Sequence, residues 1–212
     1  MNNEEFIKEL NILGIEINSF QQEQLEKYYN MIIEENKVQN LTRIIEKKDV
    51  YLKHFYDSLT IVKVVNLDNI NTLCDVGTGA GFPGIVLKII FPNIDITLVE
   101  SKTKKTIFLN KVIQQLQLNN IKVINDRAEN IKEKYDIVVS RAVARIDKLC
   151  EYTMHLLKKN GIFIAMKANF NEERQKINMD KLNQKYIIKK ELEFNLPVEK
   201  SIRTLIVMKN KS

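Results

Sequence analysis

The residues best suited to chemistry in this 212-residue chain gather around one stretch, Thr72-Leu73-Cys74-Asp75-Val76-Gly77-Thr78-Gly79-Ala80-Gly81-Phe82-Pro83-Gly84. Four of the chain's six glycines fall between positions 77 and 84. With no side chains in the way, backbone there can turn sharply and lie close against a ligand. Asp75 stands at the mouth of the loop, and Glu100 lies sixteen residues beyond Gly84, at the end of the next apolar run. A carboxylate so placed can accept hydrogen bonds from both hydroxyls of a ribose. The pattern describes a cradle for a nucleoside cofactor.

These side chains need elements to bring them together. Leu73, Cys74 and Val76 suit a short buried parallel strand, Pro83 suits the first turn of a helix, and Ile85, Val86, Leu87, Ile89 and Ile90 continue it as far as Pro92. Ile94 to Val99 then forms a second strand, and right-handed crossover sets its end beside the first, so that Glu100 faces the loop. Gly79-x-Gly81-x-x-Gly84 also satisfies the dinucleotide fingerprint, which leaves an NAD-dependent oxidoreductase as an alternative. Asp75 argues against it, because a carboxylate at the loop favours a cation and repels a pyrophosphate. Asp75 before Gly77-x-Gly79-x-Gly81 resembles the arrangement of Rossmann-like methyltransferases, whose cofactor S-adenosylmethionine carries a cationic methionine end. Gly77, Gly79 and Asp75 are thus expected at the cofactor, the alternative for Asp75 being a buried, hydrogen-bonded anchor of the turn.

Further along, Lys102 to Leu116 reads as a helix whose first turn is crowded by Lys102, Lys104 and Lys105, against the helix dipole. Ile121 to Ile124 is a third strand, and the loop after it brings the Ala128 backbone and the Glu129 carboxylate to where an adenine sits in a doubly wound sheet. Tyr135 to Val139 is a fourth strand followed by Ser140-Arg141-Ala142, which faces the transferable group, so Arg141 is the foremost substrate-side candidate. An ion pair of Arg141 with Asp126 or Glu129 is its structural alternative. A helix over Leu149 to Leu157 stops at Gly161, and a fifth strand, Ile162 to Met166, ends in Lys167. A helix around Glu172 to Leu182 precedes strands Tyr186 to Leu192 and Arg203 to Met208, which close as an antiparallel hairpin. Residues 1–68 read as helices: Phe6, Leu10 and Leu13 on one face, Leu25, Tyr28, Tyr29, Ile32 and Ile33 on another after Ser19 as cap, then a helix capped by Asp49. In that last helix His54 and Asp57 share a face, as a substrate-orienting imidazole or as a surface pair. The expected fold is α/β: a mostly parallel seven-stranded Rossmann-like sheet over 69–212, with an N-terminal helical extension, 1–68, docked on it.

The net charge of +6 is unevenly spread: residues 1–70 sum to −4, residues 71–160 to +5 and residues 161–212 to +5. Positive charge on the cofactor-binding part suits a polyanionic partner. Two cysteines are too few for a disulfide framework and fit a reducing cytosol, in core positions. The acidic start and the lack of any apolar run of about twenty residues lead us to expect a cytoplasmic protein with no membrane partner. His54 and His155 are the only histidines and no cysteine pair has ligand spacing, so no metal site is expected.

Methyl transfer from a sulfonium needs an in-line nucleophile. No Asn/Asp-Pro-Pro-aromatic sequence follows the fourth strand to hold an exocyclic amine, and neither cysteine occupies a loop from which it could attack a pyrimidine. A nucleophile with a free lone pair, such as guanine N7, remains attractive, since it needs positioning and no general base.

Asn40-Leu41-Thr42, His54-Phe55-Tyr56-Asp57-Ser58-Leu59, Asp75 to Gly84 and Ser140-Arg141-Ala142, in that order, resemble the bacterial ribosomal RNA small subunit methyltransferase G family, formerly glucose-inhibited division protein B. The resemblance spans nearly the whole chain. It implies methylation of N7 of guanosine 527 in the decoding-region loop of 16S rRNA, with 16S rRNA or the 30S subunit as partner and S-adenosylmethionine as cofactor. Position by position it implies cofactor contacts at Gly77, Phe82, Ala128, Glu129 and Arg141, Arg141 being also the catalytic candidate. Arg127, Lys167 and Arg203 would face the RNA, and His54 joins them through its motif. Thr78 stands where the family often has serine, which keeps a small hydroxyl. A monomer is expected, and a non-catalytic ribosome-associated RNA-binding protein is the second alternative.

Overall fold

The computed structural model describes every residue except Ala142 and Ser212. The Ala142 of the Ser140-Arg141-Ala142 motif therefore lies outside the described residues. Seven strands form one sheet: β1 (Thr72–Val76), β2 (Asp95–Val99), β3 (Ile121–Ile124), β4 (Tyr135–Arg141), β5 (Leu157–Lys167), β6 (Tyr186–Asn195) and β7 (Ile202–Asn210). Their order across the sheet is β3-β2-β1-β4-β5-β7-β6, with β7 antiparallel to both neighbours and β1 to β5 paired in parallel. The near-continuous apolar runs of β1, β2 and β4 follow from burial on both faces. The chain reverses its winding between β1 and β4, and the loops after β1, β2, β3 and β4 open on the same edge, where ligands bind in open α/β sheets.

The N-terminal part holds α1 (Asn3–Ile12) and α2 (Ser19–Asn36), each opened by an asparagine capping box, Asn2 with Glu5 and Asn18 with Gln21. The cap of α2 is thus Asn18 rather than Ser19, because only Asn18 has the extended backbone that lets its side chain accept from Gln21 N–H. One helical run follows, made of α3 (Lys47–Val50), a π-helical turn Tyr51–Tyr56, α4 (Asp57–Leu59) and a 3-10 turn Thr60–Lys63. Its cap position is Glu46, and Asp49 sits inside the first turn. The wide π turn brings Tyr51, Leu52, His54, Phe55 and Tyr56 all into buried positions, and such bulges concentrate at functional sites.

Helices α5 (Gly84–Ile90) and α6 (Thr103–Gln115) cover one face of the sheet together with α2. Their shared core includes Phe6, Leu10, Leu25, Tyr28, Phe55, Leu73, Ile85, Leu98 and Phe108. Polar side chains of α2 finish the ends of both: Gln21 Nε2 donates to the carbonyls of Ile89 (3.0 Å) and Ile90 (3.1 Å), and Gln24 Nε2 to that of Leu116 (2.9 Å). These are the carbonyls a helix leaves without internal partners. On the other face α7 (Ile146–Thr153) packs Ile146, Leu149 and Cys150 against Cys74, Val138 and Phe163. Both cysteines are buried, and burial pushes the Cys150 thiol up to about 12.

Two further expectations are corrected. The helix placed around Glu172 to Leu182 is two, α8 (Phe170–Arg174) and α9 (Met179–Lys185), because Asn169 and Asn178 each cap a fresh start. Gly161 does not stop a helix; it lies within β5, where a Cβ would stand 2.8 Å from the Tyr135 carbonyl oxygen. No described helix is long and apolar enough to cross a membrane.

Candidate active site

The loop after β1 is laid across the end of β2, with Gly77 N–H and Thr78 N–H both donating to the Val99 carbonyl, at 2.9 and 3.2 Å. Gly77, Gly79 and Gly81 have φ of +70, +62 and +107°, which L side chains rarely adopt. A Cβ on Gly77 would stand 2.5 Å from Val143 Cγ2, and one on Gly81 would stand 2.5 Å from the Tyr28 hydroxyl oxygen. That hydroxyl donates to the Ala80 carbonyl at 2.6 Å, so α2 props the loop from below.

Asp75 anchors the same loop. Its Oδ2 accepts from Thr78 Oγ1 (2.6 Å) and from Gly84 N–H (2.8 Å), while Oδ1 is buried without a partner. The residue is 0% exposed and lines neither cleft described below. The direct cofactor contact expected of Asp75 thus gives way to the anchoring alternative, its influence on a ligand acting through the loop. Burial raises its carboxyl to about 6, against the hydrogen bonds from Thr78 and Gly84 and the charge of Arg141, all of which pull down.

Two clefts meet over the loop. The larger, about 640 Å³, is walled by Val76, Gly77, Glu100, Lys105, Ala128 and Glu129 among others, with Arg141 at its inner end. Glu100 Oε2 accepts from Gly79 N–H at 3.1 Å and Oε1 from Lys102 N–H at 2.9 Å, so the carboxylate ties loop to helix start at the cleft wall. The smaller, about 320 Å³, is walled by Thr42, Lys53, His54, Asp57, Phe82, Lys167 and Arg203, again with Gly77 and Arg141. Gly77 and Arg141 therefore form the waist that both clefts share.

At this waist Arg141 is held from three sides. Its Nη1 donates to the Lys53 carbonyl (3.0 Å) and to Asp57 Oδ2 (3.2 Å), and its Nη2 lies 3.1 Å from His54 Nδ1. The guanidinium also lies 5.0 Å from the centroid of the Phe82 ring, in cation–π range. Both ring nitrogens of His54 are engaged: Nδ1 lies 3.1 Å from Arg141 Nη2 and 3.1 Å from the Lys53 carbonyl oxygen, and Nε2 lies 2.9 Å from Thr42 Oγ1. The imidazole stacks on Phe82, with centroids 4.3 Å apart. Burial, then the charge of Arg141, lower its pKa to about 3, so it is neutral at physiological pH.

Of the residues expected to act, the structure brings Gly77, Phe82, Arg141, His54, Lys167 and Arg203 around the smaller cleft and Glu100, Arg127, Ala128 and Glu129 around the larger. Gly79 lines the smaller one, through the loop. Arg141 pairs with Asp57, and neither Asp126 nor Glu129 is its partner. Lys167 requires correction: it is buried, and its Nζ is taken by Glu173 Oε2 at 2.8 Å and by the Ala144 carbonyl, so its charge is spent inside the protein and does not face RNA freely. Arg127 is exposed but stands at the larger cleft, on the opposite side of the waist from Arg203. Sequence reasoning set Asp57 beside His54, whereas its carboxylate pairs with Arg141 and, through Oδ1, accepts from Arg203 Nε at 3.1 Å. The three-residue spacing from His54 marked the residue but not these distant partners. Tyr28 was read as core alone; nothing local marks it as the prop of the glycine loop. Among the described residues no group of three His, Cys, Asp or Glu side chains is placed to hold a metal ion.

The strand order, the glycine loop and the cleft beside it define a Rossmann-like methyltransferase fold. Solved structures share it at low identity: the ribosomal protein L11 methylase of Lactobacillus delbrueckii subsp. bulgaricus (TM-score 0.58, 15% identical, covering 78% of this chain and 79% of that one). A S-adenosylmethionine-dependent methyltransferase of Aquifex aeolicus aligns at TM-score 0.57 with 14% identity over 77% of this chain and 93% of that one. A family model described as rRNA small subunit methyltransferase G matches residues 21–204. The chain is 45% identical over 219 residues to the ribosomal RNA small subunit methyltransferase G of Bacillus subtilis, covering 99% of this chain and 90% of that protein. To that of Staphylococcus saprophyticus it is 41% identical, over 97% of this chain and 88% of the relative. The chain belongs to the rRNA small subunit methyltransferase G family. Membership sets aside the NAD-dependent alternative.

Proposed function

We propose that the protein transfers a methyl group from S-adenosylmethionine to N7 of guanosine 527 in 16S rRNA. The observation that carries the reading is the shared waist: one cleft sized for a nucleoside cofactor and one lined by arginines, joined at Gly77 and Arg141. The residues of the larger cleft fit this cofactor. Gly77 presents bare backbone to the cleft at a φ that other residues rarely adopt, Glu100 supplies a carboxylate for a ribose diol, and Ala128 and Glu129 supply the wall for a base. When bound, the cofactor supplies an electrophilic methyl on a sulfonium.

What the chain adds is position and field. A guanidinium at the waist can donate to guanine O6 or to a neighbouring phosphate and leave N7 facing the larger cleft. His54 has both ring nitrogens engaged, Nδ1 by Arg141 and the Lys53 carbonyl and Nε2 by Thr42, and so offers no free base. That suits a nucleophile whose lone pair needs no deprotonation. Phe82 and His54, stacked, give the smaller cleft an aromatic wall beside the loop.

The deciding experiment is transfer of labelled methyl to 30S subunits and to protein-free 16S rRNA, followed by strand cleavage specific for 7-methylguanosine. Cleavage at guanosine 527 is the expected result and identifies the preferred form of the substrate. Incorporation elsewhere refutes the position, and RNA binding without incorporation points to the non-catalytic alternative.

A further inference from the structure

Asp57 has no part in the reaction as derived so far, yet its one carboxylate joins two arginines across the smaller cleft. It is buried, with a side chain 7% exposed, and each carboxylate oxygen holds a different arginine: Oδ2 takes Arg141 Nη1 at 3.2 Å and Oδ1 takes Arg203 Nε at 3.1 Å. The two arginines come from β4 and β7, which are not neighbours in the sheet, and Asp57 comes from the helical run beyond the sheet edge. The other cations on this wall are already matched. Lys53 pairs with Asp49 (3.3 Å) and Glu199 (2.8 Å), and Lys167 with Glu173. His54 is neutral. Asp57 with its two guanidiniums is left with the net charge of one cation.

We propose that Asp57 is a positioning residue for RNA methylation, clamping Arg141 and Arg203 on a single carboxylate so that both present fixed donors to the substrate. The inference rests on the methyl-transfer reading above. Its chemistry has two sides. Fork-shaped donors held by a buried carboxylate are oriented before the substrate arrives, which favours turnover. The same carboxylate cancels one positive charge, which weakens attraction for the phosphate backbone. Asp57 therefore trades RNA affinity for geometry, and its removal should move the two in opposite directions.

The test compares the wild type with Asp57→Asn and Asp57→Glu, measuring kcat and KM for whichever RNA substrate the wild type methylates. Binding to protein-free 16S rRNA is measured over a range of salt concentrations. Asp57→Asn is expected to lower kcat roughly tenfold or more, to leave KM for RNA unchanged or lower, and to steepen the slope of log affinity against log salt by about one. Asp57→Glu keeps the charge and displaces the carboxylate by one methylene, so kcat falls while the salt slope stays at the wild-type value. The double variant Asp57→Asn with Arg203→Gln restores the charge count, and its slope returns to that of the wild type without recovery of kcat. Wild-type turnover in either single variant, or weaker RNA binding by Asp57→Asn, overturns the proposal. A residue that merely supported the fold would lose kcat and RNA affinity together. If the wild type transfers no methyl to any RNA, it is the underlying reading that has failed, and the salt slopes still report whether the carboxylate screens the arginines.

Discussion

Asp75 carries its charge where solvent does not reach, and that fixes how stability should depend on pH. In the unfolded chain its carboxyl has an ordinary value near 3.8; in the folded chain burial raises it to about 6. Two units correspond to about 3 kcal/mol. The folded chain binds this proton more tightly, so the contribution is fully present below about pH 4 and lost as pH rises through about 6. Asp75→Asn removes the charge and this dependence. With its amide oxygen in place of Oδ2, asparagine still accepts from Thr78 and Gly84, but its NH₂ falls where Oδ1 has no partner, at a cost of about 1 to 3 kcal/mol. At pH 7 the two effects nearly offset, and the variant should lie within about 2 kcal/mol of the wild type. At pH 4 only the cost remains, and the variant should be the less stable. Urea unfolding of both proteins from pH 4 to pH 8 reads the difference directly. His54, lowered to about 3, has the opposite dependence but is present in both chains and drops out of the comparison. A difference that stays flat to within about 0.5 kcal/mol between pH 4 and 7 refutes the reasoning.

Gly77→Ala places a methyl 2.5 Å from Val143 Cγ2 on backbone at φ +70°, and calorimetry with S-adenosylhomocysteine should show affinity reduced about tenfold or more. Tyr28→Phe leaves the Ala80 carbonyl without its buried donor, and urea unfolding should show a loss of about 1 to 3 kcal/mol. Arg141→Ala should cut methyl transfer by roughly a hundredfold with cooperative thermal melting retained; turnover close to the wild type removes Arg141 from the site.

Much of the sheet was legible because its signals are local. Apolar runs ending in Val76, Val99 and Ile124 mark strands directly, and glycine at 77, 79 and 81 marks backbone that other residues rarely adopt. Helix caps were legible in kind but displaced by a residue or more, as at Asn18 and Glu46, because several neighbouring side chains can cap and only backbone angles decide among them. The break between α8 and α9 was hidden for the same reason. Partners were the least legible. Arg141 stands 84 residues from Asp57, Arg203 stands 146 from it, and Tyr28 lies 52 from the carbonyl it holds. Lys167 reads in sequence as a free cation at a strand end, and only Glu173, brought back by α8, shows otherwise. Side-chain spacing reports what one element can present; which charges survive to face a ligand depends on elements that meet only in the fold.

The glutamines of α2 set an order of events for the chain as it is made. Gln21 and Gln24 emerge early, while the carbonyls they hold, at Ile89, Ile90 and Leu116, follow 68, 69 and 92 residues later. Until Leu116 has left the tunnel, Gln24 lacks its partner and α2 lacks α6 to pack on, and such contacts are long in sequence and slow to close. Residues 19–36 are therefore made well before the last of the elements they pack on, and a nascent chain halted near residue 100 would leave the side of α2 that meets α6 without its partner.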